Sequence, residues 1–108
     1  MTEEPRAVFD DIAAEYLVRP GVDIGPMFGS EGLRIRGKVF AFLASRQSLI
    51  AKLPEARVTE LDRSGRAERL TMRDRAMREW VLVDPEAIDL WPAVIAEAFA
   101  FVDGITPR

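Results

Sequence analysis

Over residues 33–42 the chain reads Leu33-Arg34-Ile35-Arg36-Gly37-Lys38-Val39-Phe40-Ala41-Phe42, with apolar and charged side chains alternating into the pair Arg36-Gly37. Alternation of period two puts successive side chains on opposite faces of a strand, and a two-residue turn whose glycine takes positive φ closes an antiparallel hairpin. With the turn at Arg36-Gly37, Ile35 lies opposite Lys38 and Leu33 opposite Phe40. Leu33, Ile35, Phe40 and Phe42 are then expected on a core face, and Arg34 and Arg36 on a wet one. A hairpin with one apolar face is not stable alone, so the rest of the chain must add strands and a covering layer.

The covering layer is legible on both sides of the hairpin. Residues 4–18 have Phe9, Ile12, Ala13, Tyr16 and Leu17 at helical spacing, with Asp10, Asp11 and Glu15 elsewhere. Glu3 and Glu4 suit the positive end of that helix, and Arg19-Pro20-Gly21 stops it. After a polar turn at Ser45-Arg46-Gln47, residues 48–53 offer a third antiparallel strand with Leu49, Ala51 and Leu53 inward. Pro54, Glu55 and Gly65 frame a short helix bearing Val58 and Leu61. Residues 66–76 are polar and rich in arginine, a loop with room for a short strand near Leu70 and Met72. Met77–Val83 is β-branched and aromatic, hence a strand. Asp84-Pro85-Glu86 signals a helix start, with the helix proper from Trp91-Pro92; Ile95, Ala98, Phe99 and Val102 form its inward stripe, which ends at Asp103-Gly104.

The order α-β-β-β-α-β-α predicts one α+β domain over residues 1–108, two-layered, with an antiparallel sheet of about four to five strands and helices on one face. A chain of 108 residues, 48% apolar and 31% charged, is long enough to bury roughly two thirds of its unfolded surface.

Two absences narrow the chemistry. The chain has neither His nor Cys, which removes the usual general base at neutral pH, the Ser-His-Asp triad, thiol nucleophiles, disulfides and imidazole or thiolate metal sites. The expectation is a protein that is not an enzyme and carries no cofactor. The start, MTEEPRAVFDD, is acidic where a secretory signal is basic, and no apolar run approaches the ~18 residues of a membrane span, so a cytoplasmic protein without membrane contact is expected. Eighteen acidic against fifteen basic residues, net −3, disfavour a domain that grips nucleic acid alone.

Several clusters could carry a ligand, and each also has a plain structural reading. Asp11 and Glu15, at i and i+4, could share a hard cation but read as solvated helix surface. Gly25, Gly29 and Gly32 flank Met27-Phe28, yet their spacing fits no phosphate loop and reads as turn geometry. Arg63, Arg66, Arg69, Arg73, Arg75 and Arg78 form a basic run diluted by Glu68, Asp74 and Glu79, which reads as an exposed loop with local ion pairs. Trp80 beside Arg78 is either a packed strand residue or an anchor for a partner.

Met27-Phe28-Gly29, the hairpin Gly32-Leu33-x-Ile35-x-Gly37-Lys38-Val39-Phe40-Ala41, and Met77-Arg78-Glu79-Trp80-Val81 before an Ala- and Phe-rich helix together resemble the N-terminal domain of the TfoX/Sxy family of bacterial competence regulators. The resemblance covers nearly the whole chain. It implies a two-layer α+β fold and an accessory, regulatory role exerted through a protein partner, the transcription machinery or an activator. Full-length regulators of that family add a C-terminal domain resembling helix-hairpin-helix DNA binders; residues 1–108 hold no counterpart, so direct DNA binding is expected to need a partner. The interaction surface expected on this reading comprises Met27, Phe28, Arg34, Arg36, Arg78 and Trp80. The alternatives are weak direct nucleic-acid binding through Arg34, Arg36 and the arginine run, and a small-molecule cleft between helix and sheet. A homodimer would cover an apolar edge or face of a single sheet.

Overall fold

Six strands form one antiparallel sheet in the computed structural model, which describes residues 4–27, 30–44 and 47–108; the side chains of Met27 and Ser30 lie outside that description. The strands are β1 (Val22–Met27), β2 (Ser30–Ile35), β3 (Lys38–Leu43), β4 (Leu49–Lys52), β5 (Glu68–Met72) and β6 (Arg75–Val83), in the spatial order β1-β2-β3-β4-β6-β5. The helices are α1 (Pro5–Leu17), α2 (Glu55–Ser64) and α3 (Trp91–Ile105), the last preceded by a 3-10 segment, Pro85–Leu90. The α+β class holds, while the chain order becomes α-β-β-β-β-α-β-β-α. The added strand β1, and β5, which falls where the sequence leaves room for a short strand near Leu70 and Met72, are both sheet edges. β1 (VDIGPM) holds a glycine and a proline, residues depleted in strands but tolerated at an edge, and β5 (ERLTM) is largely exposed, so neither shows the apolar alternation of an inner strand.

The β2–β3 turn is the one expected. Arg36 and Gly37 have φ of 48° and 85°, as a mirror-image two-residue turn requires, and Ile35 pairs with Lys38. Beyond it the register corrects the sequence reading. Val39 pairs with Arg34 but Ala41 pairs with Leu33, so Phe40 is an extra residue, a β-bulge. One inserted residue reverses the alternation: Phe40 and Ala41 both join the core, and Phe42 passes to the opposite face.

The core lies between the sheet and all three helices. Leu33, Ile35, Phe40, Ala41, Leu43, Leu49, Ala51, Leu53, Val81 and Val83 meet Phe9, Ile12, Ala13 and Tyr16 of α1, Val58 and Leu61 of α2, and Trp91, Val94, Ile95, Ala98 and Val102 of α3. Tyr16, Phe40 and Phe99 pack as an aromatic trio, with ring centroids 5.4 to 6.0 Å apart. Leu17, expected inward, is 40% exposed; it sits one residue, about 100° of helix, past Tyr16 and off the buried stripe. Gly65, at φ 78°, caps α2 as expected. Arg57 of α2 donates to both carboxylate oxygens of Glu97 on α3, at 2.8 and 3.2 Å, and ties the two helices. Among the described residues no helix is long and apolar enough to cross a membrane.

Candidate functional site

The face of the sheet turned away from the helices is defined by one cross-strand row. Gly25 on β1 pairs with Gly32 on β2, Gly32 with Phe42, Phe42 with Ile50, Ile50 with Leu82, and Leu82 with Glu68 on β5. Directly opposed residues share a face, so this row crosses the whole sheet with three apolar side chains at its centre. Phe42 and Ile50 are buried yet belong to no part of the helix-side core. Trp80, paired with Lys52, is the half-buried neighbour that shields them, its ring meeting Phe42 edge-on at 6.3 Å between centroids. Val39 and Leu82, both part-exposed, complete the patch. The two glycines decide its shape at one end. A side chain on Gly32 would crowd Val39 at 3.1 Å and Phe42 at 3.3 Å, and one on Gly25 would meet the Arg34 guanidinium at 2.3 Å. Both glycines therefore make room in strands, not in a turn.

The residues expected from sequence divide between this face and other places. Trp80 belongs to it. Arg34 lies on it, laid over Gly25 and held by both oxygens of Asp23 at 2.8 and 2.7 Å. That hydrogen-bonded guanidinium holds the Asp23 carboxyl below the usual carboxylate range. Arg34 and Trp80 are three strands apart, about 14 Å at normal strand spacing. Arg36 does not belong to the wet face. Its guanidinium turns to the helix layer, donating to the carbonyls of Asp103, Thr106 and Pro107 at 2.9, 2.8 and 3.1 Å and pairing with the Asp103 carboxylate at 2.9 Å. It closes the C-terminal end of α3, where carbonyls lack helical partners. Arg78 is exposed and only loosely near Glu55, at 3.9 Å. Phe28 and the Met27 side chain lie outside the described residues, as do Gly29, Ser45 and Arg46.

The arginine run is not one loop. It leaves α2 at Arg63 and continues through the β5–β6 hairpin, whose turn is Arg73-Asp74 at φ 50° and 64°. Arg66 is held by Asp89 at 2.8 Å, which keeps that carboxyl below its ordinary value. Arg69 pairs with Val81 on the helix side and donates to Thr59 Oγ1 at 2.6 Å. Asp11 and Glu15 are exposed on α1, and among the described residues no group of three or more acidic side chains converges on a point that would hold a cation.

The outward row of Phe42, Ile50 and Leu82 is not among the sites expected from sequence, which assigns Phe42 to the core face, although a signal is present. Phe40–Leu43, Leu49–Ala51 and Trp80–Val83 are apolar at consecutive positions rather than alternate ones, as strands read when both faces are covered. Here the helices cover only one face. Trp80 also stands between two open clefts. One, of about 440 Å³, is lined by Glu55, Met77, Arg78 and Glu79; the other, of about 370 Å³, includes Val39, Lys52 and the end of α3. Set against known proteins, no family model matches this chain, and no curated protein or solved structure gives a significant match.

Proposed function

We propose that this protein is a non-enzymatic, cytoplasmic accessory module that acts through contact with another protein, and that the helix-free face around Phe42, Ile50, Trp80 and Leu82 makes the contact. The observation that carries this reading is the apolar row on that face. Phe42 and Ile50, buried beneath the half-buried Trp80 and beside the part-exposed Val39 and Leu82, form an aromatic-centred patch of the kind that dominates binding energy at protein interfaces, on a sheet face outside the helix-side core. The resemblance to the TfoX N-terminal domain supports a partner in bacterial transcription or competence control.

Direct nucleic-acid binding is the weaker reading, because three of the arginines it would use are engaged, Arg34 by Asp23, Arg36 by α3 and Arg66 by Asp89, and the net charge is −3. The test is binding of the purified chain to bacterial RNA polymerase and to polymerase–activator complexes, with Phe42→Ser and Trp80→Ser as variants. Saturable binding lost in both variants supports the reading. No binding, or binding indifferent to both, overturns it; a concentration-dependent dimer in light scattering, lost in the same variants, would assign the face to a second copy instead. Retention on DNA that falls steeply with salt would favour the nucleic-acid alternative.

A further inference from the structure

We infer that the cleft between Trp80 and the C-terminal end of α3 is a binding site for a small organic anion with a flat apolar body, such as an aryl carboxylate. The sequence holds two lysines, and Lys38 and Lys52 both line this cleft. They enter it from the start of β3 and the end of β4, with Trp80 and Val39 beside them and Val102 and Ile105 of α3 across from them. Thr106 and Pro107 complete the lining. In a chain with more acids than bases, no lining residue is acidic.

The end of a helix would ordinarily repel an anion, since its free carbonyls carry partial negative charge. Here Arg36 occupies the carbonyls of Asp103, Thr106 and Pro107 and pairs with the Asp103 carboxylate, so that repulsion is neutralised next to the cleft. The Lys52 ammonium is 5.7 Å from the Trp80 ring centroid and only 3.9 Å from the nearest Glu79 oxygen, too long for a hydrogen bond. It is poised over an aromatic surface with no hydrogen bond of its own among the described residues, the Glu79 carboxylate being its one charged neighbour there, which a bound anionic head would displace. Lys38 forms no ion pair among the described residues. Ile105, 55% exposed, and the indole supply apolar walls, and about 370 Å³ is within the range of small-molecule pockets. Two ammonium groups above such walls select for a negative head and an apolar, planar body.

The assignment does not rest on the protein-contact reading, although the two share Val39 and Trp80, and its test needs no partner. Naphthalene-2-carboxylate and its charge-reversed analogue 2-naphthylmethylammonium are titrated into the isotope-labelled full chain, with backbone amide and tryptophan indole resonances followed by NMR. The expected result is saturable shifts at Lys52, Trp80 and Ile105 with the carboxylate, at least tenfold weaker binding of the amine, and a tenfold or larger loss in Lys52→Met that Lys52→Arg restores. Lys38→Met, at an exposed position, should weaken binding without altering the fold. Absence of saturation at millimolar carboxylate, equal binding of the two probes, or indifference to Lys52→Met would each overturn the assignment.

Discussion

Arg36 is the residue whose placement differs most from what a wet-face strand position implies, and its replacement tests the account of how the hairpin holds α3. Arg36→Met keeps the aliphatic stem and deletes three hydrogen bonds to the carbonyls of Asp103, Thr106 and Pro107 and the ion pair with Asp103. Hydrogen bonds to a charged group contribute roughly 1.5–3 kcal/mol each when buried. The Arg36 side chain is 23% exposed, and water can replace part of what is lost at a helix end, so the expected total is about 2–3 kcal/mol. For a domain of this size that corresponds to a fall in Tm of roughly 10–20 °C. Equilibrium denaturation measures the loss, and amide exchange should accelerate first in the last turn of α3, near Val102–Ile105. The companion Arg34→Met removes a pair that lies on the solvent face and should cost much less. A loss under about 0.5 kcal/mol for Arg36→Met, as for an ordinary surface pair, or equal losses in the two variants, would refute the capping role.

Further outcomes follow from the same geometry. Phe40→Ala, at a fully buried bulge position, should destabilise by roughly 3–5 kcal/mol, whereas Phe42→Ala should cost less because part of its surroundings is the half-buried Trp80; chemical denaturation compares them. Gly25→Ala should displace the Arg34 guanidinium and return the Asp23 carboxyl toward its ordinary value, read by NMR titration of that side chain. In the parent protein the folded-state pKa of Asp23 is depressed, so the stabilisation from its pairing is present above pH about 4 and is lost as pH falls through the folded-state value. Tyr16, the one tyrosine, is pushed above 10.0 by burial, Arg19 opposing and Glu15 assisting. Its contribution is complete below pH 10 and is lost as pH rises through the folded value; ultraviolet titration should show one phenolic transition, above that of the unfolded chain.

How far the sequence carried is clearest at the hairpin and at its bulge. The Arg36-Gly37 turn, the α1 stripe through Tyr16, the cap at Gly65 and the start of α3 at Trp91 all follow from local rules: period, turn chemistry and capping. The bulge at Phe40 does not, because an extra residue leaves no mark on the local pattern of VFAF; only the register against β2 reveals it. The consequence was large for the site. Phe42 moved from the core to the outer face, where it forms the centre of the apolar row with Ile50 and Leu82. Arg36 was misplaced for a related reason: strand alternation assigns a face to its backbone position, but a long side chain at a turn can reach around the sheet to a helix end 67 residues later in sequence. The spacing of Gly25 and Gly32 predicts turn geometry, but they sit in paired strands where their missing side chains clear space for Arg34, Val39 and Phe42.

The most direct test of the contact face is cross-saturation NMR on the labelled chain mixed with polymerase or its activator complex. Transfer is expected to concentrate at Val39, Phe42, Ile50, Trp80 and Leu82, leaving the outward surfaces of the three helices untouched. Transfer centred on the helices, or none at all at concentrations that saturate the mixture, would contradict it.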